Sequence, residues 1–133
     1  MNRKAKILIV EDEESLAGLM VLTLTRAGYD VEAVHTGQKA IKIATENRFD
    51  LITLDIKLPD VSGFEVCSEL KERHISRNTP IIFISASLFP EEIAESKMRG
   101  AVDYLTKPFS PTELVHKVIY HARSREETEG LVK

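Results

Sequence analysis

Apolar residues fall into five short runs at nearly even intervals along the chain, and each run has the length of a β-strand. Between the runs, apolar residues recur three or four positions apart, which is the spacing of an amphipathic helix. The runs cover residues 6–10, 30–34, 50–54, 80–84 and 102–105. The pattern therefore predicts five strands that alternate with five helices.

Helix boundaries are marked by capping signals between the runs. Residues 62–65 and 110–113 both fit a capping box, in which a serine precedes a glutamate by three positions. Gly28 and Gly100 follow helical stretches, where a left-handed cap is expected. Pro90 falls in the first turn of the fourth predicted helix.

Strict alternation of strand and helix predicts an α/β fold with a parallel sheet and helices on both faces, because each crossover must return the chain to the same edge. The runs within residues 7–10, 51–54 and 81–84 are almost continuously apolar, as buried central strands are. The second and fifth runs contain acidic residues and suit the edges. We therefore expect the strand order 2-1-3-4-5.

Composition indicates one globular domain. The chain has 133 residues, of which 43% are hydrophobic and 29% charged, and a typical domain has roughly 150. We expect a domain over residues 1–123 and a polar C-terminal tail or linker over 124–133, where the apolar period is lost.

The charge balance gives no support for binding to nucleic acid or to a membrane, because 18 basic residues against 21 acidic ones leave a net charge of -3. No apolar run approaches the roughly 20 residues of a membrane span. The single cysteine, Cys67, excludes an internal disulfide and fits a reducing compartment, so the expected location is the cytoplasm. We interpret Cys67 and the four histidines as structural or solvated residues.

Reactive side chains follow four of the five predicted strands. Glu11 and Asp12 come after the first run, Asp55 after the third, Ser85 after the fourth and Lys107 shortly after the fifth. Ligands of open parallel sheets bind at the carboxyl ends of the strands, so we expect these residues to converge.

Three converging carboxylates repel one another, and a bound divalent cation usually offsets that repulsion. A set of oxygen ligands favours Mg²⁺, or Mn²⁺, over Zn²⁺. A cation, a lysine and a hydroxyl around one carboxylate suit phosphoryl transfer to that carboxylate. An acidic residue after a strand often only begins the next helix, and Asp12 taken alone would be interpreted in that way. Asp55 is the expected acceptor because no helix begins after it until about Ser62.

The chain resembles the receiver domain of two-component response regulators over residues 4–123. Four separated motifs carry the resemblance: residues 7–13 (ILIVEDE), residues 50–60 (DLITLDIKLPD) with Gly63, residues 85–87 (SAS) and residues 100–109 (GAVDYLTKPF). The resemblance implies the flavodoxin-like, doubly wound fold of the chemotaxis regulators, which has the strand order expected above.

The resemblance also implies roles for individual residues. Asp55 would accept a phosphoryl group from a histidine kinase or a histidine phosphotransfer protein. Glu11, Asp12, Asp55 and the backbone carbonyl of Lys57 would hold Mg²⁺. Lys107 would pair with Asp55 and then with the phosphoryl group, and its peptide bond to Pro108 would be cis.

A conformational switch is implied as well. Ser85 would move toward the phosphoryl group, for which Ala86 leaves space, while Tyr104 turns inward. The responding surface would be helix 4, strand 5 and helix 5, which would control a downstream protein or an output domain. The domain would be a monomer or a phosphorylation-dependent dimer, and a regulator rather than an enzyme with another substrate.

Some positions and functions stay open. Glu11 stands where many receivers have aspartate. Lys57 and Ser87 flank the expected phosphoryl group, and we hypothesise that Lys57 gives a long-lived phosphorylated state.

Two alternative functions stay open. One is a Mg²⁺-dependent phosphatase or phosphotransferase, although Lys57 stands where haloacid-dehalogenase-like phosphatases have a second aspartate. The other is a receiver-fold binding module that is never phosphorylated. The sequence leaves open whether the domain stands alone or belongs to a longer protein.

Overall fold

Five parallel strands form one sheet, and the helices that connect them cover both of its faces. The structure is a computed structural model that describes residues 4–86 and 89–132, with side chains described as far as residue 122. In chain order the elements are β1 (Lys6–Val10), α1 (Glu14–Arg26), β2 (Asp30–Val34), α2 (Gly37–Glu46), β3 (Leu51–Asp55), α3 (Gly63–Glu72), β4 (Ile81–Ser85), α4 (Pro90–Met98), β5 (Asp103–Thr106) and α5 (Pro111–Val132).

The strand order is β2-β1-β3-β4-β5, which confirms the predicted fold. Every residue of β3 and β4 is buried, whereas β2 and β5 at the two edges are partly exposed. The acidic residues of the edge strands reach solvent without having to enter the core. Two central strands end one residue later than the apolar runs, because Asp55 still pairs with Ile84 and Ser85 with Thr106.

Alternating residues of the strands divide between two hydrophobic cores. Leu8, Leu54 and Phe83 face α2 and α3, while Ile9 and Ile84 face α1 and α5. The sheet is thus fixed from both sides, which gives the carboxyl ends of β1, β3 and β4 a rigid support.

The predicted caps are present at most positions. Ser110 and Glu113 form a reciprocal capping box, in which each side chain accepts from the other residue's N–H at 3.1 Å. Ser62 caps α3 by accepting from the N–H of Phe64. Gly28 and Gly100 have φ angles of +102° and +91°, in the left-handed region that favours glycine.

Helix α5 extends to Val132, so the backbone of the expected tail or linker is helical to that residue. The side chains of that segment lie outside the described ones, and the domain boundary at 123 stays a prediction. Within residues 4–86 and 89–132, no helix combines the length and the apolar character needed to cross a membrane.

Cys67 lies in the core, and its Sγ donates to the carbonyl of Arg99. Burial raises the pKa of the Cys67 thiol and outweighs the opposite effects of the nearby cations Lys71 and Arg99. The thiol is therefore a packed, protonated group, as the interpretation of Cys67 requires.

Candidate functional site

Three carboxylates meet at the carboxyl edge of the sheet. Glu11 follows β1 directly, Asp12 is next along the chain, and Asp55 ends the neighbouring strand β3. One oxygen from each lies within 4.8 Å of the other two. Glu11 and Asp55 are buried, whereas Asp12 is exposed, so the cluster opens to solvent on one side.

Asp55 is held by a donor on each oxygen. The Lys57 N–H donates to Oδ1 at 2.9 Å, and the Lys107 ammonium donates to Oδ2 at 2.8 Å. Its backbone is also fixed: the Gly63 N–H donates to the Ile56 carbonyl at 2.7 Å, and a Cβ at residue 63 would overlap the Asp55 carbonyl oxygen. The carboxylate is thus set in one orientation before any ligand arrives.

Lys107 joins the fifth strand to the carboxylates. Its backbone N–H donates to the carbonyl of Ser85 at 2.8 Å, and its Nζ lies 3.0 Å from Glu11 Oε1 as well as near Asp55. Burial on its own would lower the pKa of Lys107, but the hydrogen bond and charge of Asp55 and then the close contact with the charged Glu11 raise it above its usual value. The ammonium is therefore a fixed positive charge, and its peptide bond to Pro108 is cis.

Glu11 is the most strongly perturbed group of the site. Burial, with the charge of Asp55 added, raises the pKa of Glu11 to about 7, although the N–H of Glu13 and the ammonium of Lys107 act in the opposite direction. The side chain is 1% exposed. Its Oε2 accepts from the Glu13 N–H at 3.1 Å. Among the described residues its buried Oε1 has only the ion pair with Lys107 and no aligned hydrogen bond.

This donor set fits a hard divalent cation. A buried carboxylate oxygen without an aligned donor faces two more carboxylates, and all of the side-chain ligands are oxygen. Mg²⁺ and Mn²⁺ prefer such ligands, while Zn²⁺ prefers nitrogen and sulfur. Glu11, Asp12 and Asp55 are the described side chains that can hold the ion.

The remaining predicted residues lie around this cluster. Ser85 is buried at the end of β4, one residue beyond Ile84, which pairs with Asp55 on β3. Ala86 after it is exposed. Tyr104 lies half-buried on β5, opposite Phe83, and packs against the core beneath α2 and α3. Ser87, the second position expected to flank the phosphoryl group, lies outside the described residues.

A charged cluster ties β5 to α5 next to Tyr104. Asp103 binds Lys117 Nζ at 2.9 Å and contacts His121 Nε2 at 3.0 Å. Burial raises the pKa of Asp103, but the hydrogen bonds from Lys117, His121 and the Tyr104 N–H outweigh it and leave the pKa below its usual value. His121 therefore has a structural partner, as the interpretation of the histidines expects.

Sequence reasoning did not predict the contacts of two polar residues near the site, namely His35, interpreted as structural or solvated, and Asp60, which ends the motif of residues 50–60. The His35 ring contacts the carbonyl of Glu11 through Nδ1 at 2.9 Å. The Asp60 carboxylate accepts from the N–H groups of Gly37 and Gln38 at 2.8 and 2.9 Å. No motif in the sequence signals either contact, because each joins loops more than 20 positions apart.

Residues 7–119 match the response regulator receiver domain family. The chain belongs to that family. One relative of this receiver domain is the alkaline phosphatase synthesis transcriptional regulatory protein PhoP of Bacillus subtilis, 41% identical over 118 residues. The matched part covers 89% of this chain and 48% of PhoP. The chain spans about half the length of the curated relatives it matches first.

Solved structures of other receivers share the fold. The chemotaxis response regulator CheY4 of Vibrio cholerae is 34% identical, with a TM-score of 0.85, and the match covers 89% of this chain and 98% of CheY4. The receiver domain of the sensor histidine kinase PA1611 from Pseudomonas aeruginosa is 29% identical, with a TM-score of 0.83 and coverages of 90% and 98%. The PA1611 crystal structure has a magnesium ion coordinated in the active site cleft.

Proposed function

We propose that this receiver domain is a phosphoacceptor switch in which Asp55 takes a phosphoryl group from a phosphohistidine of a histidine kinase or histidine phosphotransfer protein. The proposal rests on the family and on the geometry around Asp55. The main observation behind the proposal is the position of Lys107. Its ammonium contacts Asp55 and Glu11 at the same time, beside a third carboxylate, Asp12.

This arrangement fits a role in phosphoryl transfer better than it fits the role of a structural ion pair. A structural pair needs one carboxylate for one ammonium, whereas here two buried acids contact one lysine and a third, exposed acid lies beside them, which leaves excess negative charge. Burying such excess charge is costly unless a further cation binds. The raised pKa of Glu11 reflects that cost.

The proposed metal ligands are the carboxylates of Glu11, Asp12 and Asp55 and the backbone carbonyl of Lys57. When bound there, Mg²⁺ supplies positive charge for the phosphoryl oxygens. The protein contributes the position of the acceptor: donors from Lys57 and Lys107 hold both oxygens of Asp55.

In the proposed transfer, a carboxylate oxygen of Asp55 forms a bond to phosphorus while the bond from phosphorus to the histidine nitrogen breaks. The electron pair of that bond stays on the ring nitrogen, and a ring protonated at its other nitrogen leaves as neutral imidazole. Lys107 keeps its proton and neutralises charge on the phosphoryl oxygens. The product is an aspartyl phosphate.

The proposed response begins at two residues near the acceptor. The phosphoryl group offers the Ser85 hydroxyl a new partner, and Tyr104 turns further into the half-buried site that it already occupies. The surface of α4, β5 and α5 then changes and acts on a downstream protein or an output domain. We propose the cytoplasm as its location and a slow loss of the phosphoryl group, shielded by Lys57.

Intact-mass spectrometry after incubation with acetyl phosphate tests the acceptor role. The native chain and Asp55→Asn are compared with and without Mg²⁺, after circular dichroism has verified that both are folded. We expect a single phosphoryl adduct that requires both Mg²⁺ and Asp55. A phosphohistidine donor is then used in the same comparison.

An adduct that persists in Asp55→Asn would refute the assignment of the acceptor. If neither donor modifies the folded native chain, the binding module that is never phosphorylated becomes the better description.

A further inference from the structure

The segment 34–38 runs from the last residue of β2 into the first turn of α2, at the same edge of the sheet as the two loops that carry the acidic cluster. One loop contains Glu11 and Asp12, and the other runs from Asp55 to Ser62. The segment makes hydrogen bonds to both loops, and these bonds involve residues outside the proposed catalytic set.

The contacts to the first loop fix the backbone of Glu11. Its N–H donates to the Val34 carbonyl at 3.1 Å. Its carbonyl contacts His35 Nδ1 at 2.9 Å, and since a carbonyl only accepts, the ring N–H donates. Both polar backbone groups of Glu11 are therefore held by the segment 34–38.

The contacts to the second loop come from Asp60. Its Oδ1 and Oδ2 accept from the first two N–H groups of α2, those of Gly37 and Gln38, and so both oxygens are used. These N–H groups lie at the positive end of the helix dipole. The same hydrogen bonds lower the pKa of Asp60 below its usual value.

Close packing reinforces this contact. A Cβ at residue 37 would overlap the side-chain methyl groups of Val61 and Val66, so the loop and α3 lie directly against the glycine at the start of α2. Three residues before Asp60, the same loop carries Lys57, whose N–H orients Asp55.

We infer that His35 and Asp60 are positioning residues for the metal site. His35 ties the segment 34–38 to the backbone of Glu11, and Asp60 ties the start of α2 to the loop that follows Asp55. Together the two contacts set the separation of Glu11 and Asp12 from Asp55. The inference rests on the proposed function, because the site that they position is the proposed Mg²⁺ site. Neither residue touches the ion or the phosphoryl group in this proposal.

Removing the contact between Asp60 and the start of α2 tests the inference. Asp60→Ala deletes the contact between loop and helix, while Thr36→Ala is a matched control: Thr36 Oγ1 caps the same helix by accepting from the Lys39 N–H but does not reach the loop. Isothermal titration calorimetry with MgCl₂ alone measures the affinity of each variant. Urea denaturation measures its stability.

We expect Asp60→Ala to weaken Mg²⁺ binding about three- to tenfold. Loss of a direct partner of a metal ligand weakens binding about tenfold or more, and Asp60 acts one contact further from the ligands. Asp60→Asn keeps one of the two acceptor oxygens and turns an NH₂ donor toward the other N–H group, so its affinity is expected to lie between those of Asp60→Ala and the native protein. His35→Ala weakens binding in the same direction. Thr36→Ala lowers stability through the lost cap but changes the affinity less than twofold.

A second readout needs no metal. In Asp60→Ala, the Lys57 amide exchanges its hydrogen faster than in the native protein, because the loop that presents it to Asp55 is looser. In Thr36→Ala, the exchange of this amide is unchanged.

The outcomes separate the two hypotheses. A native protein that binds no Mg²⁺ refutes the proposed metal site and this inference with it. If the native protein binds Mg²⁺ and Asp60→Ala binds it equally well, the inference alone is wrong. Equal losses in Asp60→Ala and Thr36→Ala also overturn it, because the effect would then be general destabilisation of α2.

Discussion

Replacement of Glu11 by glutamine is expected to change how the stability of the metal-free protein depends on pH. In the folded protein the pKa of Glu11 is about 7, against 4.5 for an unperturbed glutamate. The folded state therefore holds this proton more tightly than the unfolded chain does. As a result, the free energy of unfolding decreases as the pH rises from about 4.5 to about 7 and is then constant.

The magnitude follows from the difference of about 2.5 pKa units. At about 1.36 kcal/mol per unit, ionised Glu11 costs the folded state on the order of 3 kcal/mol at pH 8. At pH 5 the cost is about 1 kcal/mol, because Glu11 is then still protonated in the folded state. Glutamine has nearly the same shape and no charge, so Glu11→Gln removes the cost.

Urea denaturation followed by circular dichroism, with EDTA present, measures this effect. We expect the stability of Glu11→Gln relative to the native protein to rise by about 2 to 3 kcal/mol between pH 5 and pH 8. Glu46→Gln is the control, since Glu46 is exposed at the end of α2. Its relative stability stays within about 0.5 kcal/mol over the same range. A difference for Glu11→Gln that does not vary with pH would refute the reasoning.

Two further substitutions test the geometry around the acceptor. Gly63→Ala places a Cβ against the rigid backbone of Asp55 and is expected to destabilise the protein by about 1–3 kcal/mol in urea denaturation. Gly18→Ala, on α1 with no neighbouring atom within 4 Å, should stabilise it by about 0.5–1 kcal/mol, and equal effects would contradict the described packing. Lys107→Met removes the ammonium beside the acceptor and should slow phosphorylation by acetyl phosphate about a hundredfold, measured by mass spectrometry over time. The exposed control Lys42→Met should keep the native rate, and a native rate in Lys107→Met would argue against charge neutralisation by that lysine.

The fold was predictable because its signals are repeated and local. Each strand has its own apolar run, and the burial of β3 and β4 follows from runs without charge. The late ends of β3 and β4 have one physical cause. Asp55 and Ser85 are polar, so a hydrophobic pattern ends before them, but the ladder of backbone hydrogen bonds continues through both.

The candidate site was predictable only in part. Topology brings the ends of β1 and β3 together, which explains why Glu11 and Asp55 were expected to meet. The partners of Asp60 and His35 depend on how three loops pack, and an aspartate or histidine in a loop has many possible partners. The second contact of Lys107, with Glu11, likewise depends on the path of a long side chain.

Phosphorylation of Asp55 is tested most directly by locating the modified residue. The chain is phosphorylated by a phosphohistidine donor in the presence of Mg²⁺ and treated with borohydride, which reduces an aspartyl phosphate to homoserine, and its peptides are sequenced by mass spectrometry. We predict homoserine at position 55, and none when Mg²⁺ is omitted. Homoserine at Asp12 or another aspartate, with position 55 unchanged, would contradict the proposed switch.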